Sequence, residues 1–194
     1  PVTPLMGIKN RAASGTEILY AAGAEISSPR LRQGSTTPVI PFNREEELKK
    51  AVEIAKKADV VILYIGTTLN IEAEGRDRTT LVLPGNQQQL VEAVMAANPR
   101  TDVVEMNAGP LAVPWIKDNV PAIVEAWWAG EEGGNAIADV LFGDVNQGGK
   151  MPLTVYASDS RIPPQDEYDV IKGFTYMYIK GAPRFPFGQG LRFT

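Results

Sequence analysis

The chain has 194 residues, 44% of them hydrophobic and 22% charged, with a net charge of −4 and neither histidine nor cysteine. The two zeros exclude a Ser-His-Asp triad, an imidazole base, a His metal site, a thiolate nucleophile, a zinc finger and a disulfide within it, so acid/base chemistry falls to carboxylates, Lys or Tyr. The acidic balance, with no Lys/Arg run, argues against a nucleic-acid footprint, and no apolar stretch approaches the roughly 18 residues of a membrane-spanning helix.

In chain order, the pattern predicts a short helix over residues 4–12 and a strand over 17–21. Residues 28–43 form a linker-like loop, carrying Pro29, Pro38 and Pro41 with Gly34-Ser35-Thr36-Thr37. Behind the acidic start Glu45-Glu46-Glu47, the spacing of Leu48, Val52, Ala55 and Ala58 predicts a helix. Residues 60–65 then read as the strongest strand. A second helix carries Leu90, Val91, Val94 and Met95, with Asn86 as its expected N-cap. Strands over 103–106 and 122–128 flank a short helix over 113–118, and a further helix runs over 135–142. A last strand is expected over 151–156, before a tail rich in Pro, Gly and Tyr.

Continuous β-branched runs suit strands covered on both faces. Their alternation with helices of about a dozen residues gives the expected fold class: α/β, a three-layer sandwich with a mostly parallel central sheet, flavodoxin-like, and one domain over residues 1–194. Ligands of such sheets gather beyond the carboxyl ends of the strands. The loops that matter therefore start at Gly66, Asn107 and Ala129.

The first of these loops packs five charges into seven residues, Glu72-Ala73-Glu74-Gly75-Arg76-Asp77-Arg78. Carboxylates beside guanidiniums tune one another's pKa, which equips a general acid/base; the alternative is a solvated loop with surface ion pairs. The second, Asn107-Ala108-Gly109-Pro110, is either a site loop or a plain tight turn. The third, Trp127-Trp128-Ala129-Gly130-Glu131-Glu132-Gly133-Gly134, matches no nucleotide-binding fingerprint, and its two Glu would repel phosphate. Its indole pair is either a sugar-stacking platform or core. Glu105 and Glu125 interrupt apolar runs, so each sits at a sheet end beside an Arg or Lys, or on an exposed edge.

Taken in order, Ala58-Asp59-Val60-Val61-Ile62, Glu72 to Arg78 with Leu83-Pro84-Gly85-Asn86-Gln87, Asn107-Ala108-Gly109-Pro110, Ala126 to Gly143, Gly148 to Thr154 and Phe185-Pro186-Phe187-Gly188-Gln189-Gly190-Leu191 resemble the C-terminal α/β-sandwich domain of glycoside hydrolase family 3, the β-glucosidase and β-xylosidase family. Two turns depart from the family pattern. Trp127-Trp128-Ala129-Gly130-Glu131-Glu132 stands where relatives more often carry Trp-Tyr-Pro-Gly-Gln-Glu, and Gln147 stands where Pro is usual.

The resemblance implies a retaining hydrolysis of terminal β-linked glucose or xylose, shared between an Asp nucleophile on an N-terminal barrel domain, absent from these residues, and an acid/base Glu on this one. The matching residue is Glu74, with Glu72 as its rival; Glu72, Asp77 and Arg78 are otherwise expected to bind substrate or position the loop. No cofactor and no metal is implied. The partners implied are a β-linked oligosaccharide or glycoside and the barrel of the same parent chain, without nucleic acid or membrane, in a periplasmic or secreted setting. The opening Pro1-Val2-Thr3-Pro4, without Met, reads as a fragment or processed product. The alternative reading is a non-catalytic carbohydrate-binding or domain-stabilising module.

Overall fold

The computed structural model describes residues 1–26 and 42–191. Of the expected linker over 28–43, residues 28–41 lie outside the described residues.

Helix α1 (Pro4–Arg11) starts where sequence chemistry dictates. Thr3 accepts the Met6 amide through its hydroxyl, and Pro4 fills the first helical position, where no N–H is needed. Helix α2 (Arg44–Ala55) is capped in the same way by Asn43, which accepts the Glu46 amide at 3.2 Å, with Glu45, Glu46 and Glu47 in the first turn. Strand β1 (Val61–Gly66) leads through the charged loop to α3 (Gln87–Ala97), then β2 (Thr101–Met106), α4 (Pro114–Asn119), β3 (Ile123–Glu125) and α5 (Gly133–Leu141). A 3-10 turn at Asp159–Arg161 and a short helix α6 (Thr175–Tyr178) lie in the tail.

The three strands pair in parallel in the order β1-β2-β3, with Leu63 opposite Val103 and Val103 opposite Ile123. The expected α/β class with a parallel sheet is what the chain adopts. Val103 and Val104, successive residues whose side chains point to opposite faces, are both 0% exposed, so the sheet is covered on both sides. On the Val103 face, Ile65, Leu83, Val91, Leu111, Val113 and Ile116 form one apolar cluster, which joins β1 and β2 to α3 and α4. Ala51, Ala55, Leu90 and Val94 form a second, between α2 and α3. Helix α1 docks on α5, more than 120 positions further along the chain, where Asn10 donates to Asn135 and Arg11 pairs with Asp144.

Several expected elements came out differently. Residues 17–21 form no strand: Ala21 packs against the α2–α3 cluster, and no ladder partner is present among the described residues. The strand expected over 151–156 reduces to one antiparallel bridge, Val155 to Phe185, because Pro152 has no N–H to continue a ladder. Strand β3 stops at Glu125, short of residue 128, since Trp127 turns into the left-handed region at φ 52°. Asn86 precedes α3 but makes no cap; its side-chain oxygen accepts the Glu25 amide at 3.2 Å instead.

Candidate active site

The carboxyl ends of β1 and β2 bring the first two candidate loops together. At the end of β1, Gln87 is 1% exposed and folds its amide onto Gly66: Gly66 N–H donates to Oε1 at 2.8 Å, and Nε2 donates to the carbonyls of Gly66 at 2.9 Å and Pro84 at 2.8 Å. The first residue of α3 thereby fixes both ends of the loop that separates it from β1.

Within that loop the two acids part company. Glu72 is 8% exposed. Its Oε1 accepts the Thr67 hydroxyl and the Ala108 amide at 2.8 Å, and its Oε2 accepts the Gly109 amide at 3.2 Å and Arg78 Nε at 2.8 Å. Burial alone would push this carboxyl up; Thr67, the two amides and Arg78 together outweigh it and hold Glu72 below the usual carboxylate range. Arg78 also donates from Nη2 to the Pro110 carbonyl at 2.7 Å, so the same guanidinium straddles both loops. Gly109 leaves the space in which these side chains meet: a Cβ on it would stand 2.8 Å from Arg78 Nη2 and 3.1 Å from Glu72 Oε2, so that one of them would have to shift.

Glu74 is exposed. It stands at the corner of a two-residue turn closed by the Ala73–Arg76 bridge, with Arg76 N–H donating to Ala73 O at 2.9 Å. Gly75 follows at φ 70°, the backbone conformation the third position of a type II turn demands. Arg76 braces the turn by donating to the Leu69 carbonyl at 2.9 Å. Of the pair expected to hold the loop, Arg78 is largely buried in its ion pair, whereas Asp77 is exposed.

Three contributors carried no signal that sequence reasoning used. Thr67, buried at the end of β1, donates to Glu72. Gln87 was visible only as the last letter of Leu-Pro-Gly-Asn-Gln. Asp159, from the tail, accepts the Thr80 hydroxyl and the Leu81 amide, each at 2.6 Å, and so pins the descending limb of the loop. Glu105 and Glu125, of open placement in the sequence, lie opposite each other in register at the ends of β2 and β3. Trp127 is partly buried and Trp128 about one-third exposed, on the turn that follows β3.

Among the described residues no group of three or more acidic side chains is arranged to hold a metal ion, and no helix is long and apolar enough to cross a membrane. What the arrangement offers is one buried, ionised and ion-paired carboxylate, and two residues on, one solvent-facing carboxyl.

The sequence profile of the glycosyl hydrolase family 3 C-terminal domain matches residues 1–193. The chain is 35% identical, over its whole length, to a periplasmic beta-glucosidase of Salmonella typhimurium, of which it covers 28%. It is likewise 35% identical over its whole length to a beta-xylosidase of Formosa agariphila, of which it covers 25%. Among solved structures, a family 3 beta-glucosidase of Bifidobacterium adolescentis superposes with a TM-score of 0.79 at 31% identity, over 97% of this chain and 28% of that one. The chain thus spans about a quarter of the length of these relatives. With the family pattern present from end to end and the fold shared, the chain belongs to glycosyl hydrolase family 3, as a C-terminal domain of its β-glucosidases and β-xylosidases.

Proposed function

We propose that this domain serves a retaining β-glycosidase that removes terminal, non-reducing β-linked glucose or xylose, with Glu74 as acid/base and an Asp nucleophile on a barrel domain of the same parent chain. The observation that carries the reading is the division of labour between Glu72 and Glu74. A general acid must hold its proton until the leaving oxygen takes it, so its pKa must lie above that of an ordinary carboxyl. Glu72, gripped by two amides, a hydroxyl and a guanidinium, is held ionised, with the lone pairs of both oxygens engaged. Glu74 faces outward on a braced turn, where a second domain can cover it and place it against a glycosidic oxygen.

Retention needs the two carboxyls about 5–5.5 Å apart across the scissile bond. Glu74 would protonate the leaving oxygen in the first step and deprotonate water in the second, while Glu72 and Arg78 set the height of the turn above the sheet. A periplasmic or secreted setting is in keeping with the name of the Salmonella relative. The substrate is a β-linked oligosaccharide or glycoside, and the other partner is the barrel.

In the intact enzyme, Glu74→Ala should depress hydrolysis of substrates with poor leaving groups by about 100-fold or more, the scale of general acid catalysis, with activated substrates spared and their turnover raised by azide. If Glu72→Ala shows this pattern and Glu74→Ala does not, the assignment is reversed. If neither does, the domain is a non-catalytic module.

A further inference from the structure

Two carboxyl groups that the proposed mechanism does not use lie side by side, one buried and one partly buried. Strands β2 and β3 run in parallel register with Glu105 opposite Glu125, and adjacent strands lie about 4.8 Å apart. The two side chains project from the same face as Val103 and Ile123, toward the cluster built on α3 and α4. Glu105 is 1% exposed, and its Oε1 has no hydrogen-bond donor. Glu125 is partly buried; it accepts the Trp127 amide on Oε1 at 3.2 Å and interacts with the side chains of Glu105 and Asn107.

The charges around the pair do not balance two anions. Arg184, from the tail, faces Glu105, but it is also bound to Asp118 at 3.1 Å and to the carbonyls of Val113 and Pro114. Lys117 of α4 donates to the Arg184 carbonyl. Strand β1 places Ile65 beside Glu105, which brings no charge. Asn107, 0% exposed, leaves its own Oδ1 unpartnered. One shared cation beside one buried and one partly buried carboxylate leaves a net negative charge in a poorly solvated place. Meanwhile the residue held by Glu125, Trp127, sits at φ 52°, a strained conformation for a side-chain-bearing residue that persists only where its surroundings enforce it.

We propose that Glu105 and Glu125 share one proton, and that this proton holds the Trp127–Trp128 turn in place and makes it responsive to pH. In the protonated state Glu105 donates to Glu125, which takes the Trp127 amide on its other oxygen. Burial, and for Glu105 the adjacent Glu125, push both carboxyls above the usual range, consistent with a proton retained near neutrality. When base in solution removes that proton, the only bond broken is O–H. Two like charges then face each other, Glu125 moves away, and the strained Trp127 loses its hold. The proposal stands apart from the assignment of Glu74.

The test is tryptophan emission as a function of pH in the intact protein, compared with Trp128→Phe to assign the signal. Wild type should show a transition with its midpoint at least about 2 units above the ~4.3 of an exposed Glu. Glu105→Gln, whose amide still donates to Glu125 but cannot ionise, should abolish it and lock the emission at its acidic value, while Glu92→Gln on the surface of α3 should leave it unchanged. No transition in wild type, or one that persists in both Glu105→Gln and Glu125→Gln, overturns the proposal. Infrared difference spectra of wild type need no variant: a protonated carboxyl band should vanish with the same midpoint, and its absence at neutral pH overturns the proposal as well.

Discussion

Arg78 reaches back along the chain to Glu72, Nε to Oε2 at 2.8 Å, and with the same guanidinium holds the Pro110 carbonyl at 2.7 Å. The loop that leaves β1 is thereby fastened to the turn that leaves β2. Both side chains are about one-tenth exposed, so neither charge is well solvated if the other is removed. Arg78→Ala should cost about 3–5 kcal/mol, the scale for breaking a buried pair. Arg78→Lys, which restores the charge but cannot fork to Pro110, should recover only part of it, as read from urea denaturation midpoints.

Gly109 provides an orthogonal test of the same contact. Its missing Cβ leaves the space in which Arg78 and Glu72 meet, at 2.8 and 3.1 Å from where that carbon would stand. Gly109→Ala should destabilise by about 1–3 kcal/mol, as overpacking does, and the loss should shrink in an Arg78→Ala background. A double-mutant cycle measures the difference.

Glu72 predicts an acid limb. Its folded pKa lies below the ordinary value because Thr67, Ala108, Gly109 and Arg78 together favour the anion over the effect of burial. A carboxyl depressed in the folded state contributes stability that is complete above the unfolded value, about 4.3, and is lost as pH falls through the folded one. Glu72→Gln should lower stability near neutral pH and flatten its fall on acidification, measured by denaturation at about pH 7 and about pH 3.

The carboxyls of Glu105 and Glu125 give the opposite sign. Both are raised, by burial first, so the folded state holds a proton that the unfolded chain has lost. Stability therefore falls as pH rises from about 4.3 up through the folded values. Glu105→Gln should flatten this alkaline limb, so that its midpoint gains on wild type as pH increases.

Gln87 tests the seam between β1 and α3. Its amide makes three hydrogen bonds while 1% exposed. Gln87→Glu keeps the shape but sets an acceptor against the carbonyls of Gly66 and Pro84, and should cost more than Gln87→Leu, which removes the polar group. Each orphaned buried partner is worth about 1–3 kcal/mol, and thermal denaturation of the two variants gives the ranking.

Legibility in the sequence followed the range of the physics. The three paired strands and helices α1 to α5 announced themselves through local patterns: β-branched runs, helical spacing, Pro4 at a helix start, acids in the first turn of α2. The charged loop, too, stood out by its five charges in seven residues. What could not be read was the sorting of its two acids, because Glu72 is buried by amides of Ala108 and Gly109, 36 and 37 residues away, and no spacing within the loop encodes their approach. Likewise Glu105 and Glu125 become neighbours only through strand register. The expected strand over 151–156 failed for a local reason, Pro152, that its apolar content obscured.

The docking of α1 on α5 joins segments far apart in the chain: Val2 N–H donates to the Glu131 carbonyl at 2.7 Å, and Asn10 meets Asn135 across 125 positions. On a ribosome adding about 5–20 residues per second, α1 emerges before α5 and then waits roughly 6 to 25 s for its partner helix to be synthesised. An eight-residue helix is marginal alone, so it stays unformed over that interval, and closing the α1–α5 seam becomes a late event in the assembly of the domain.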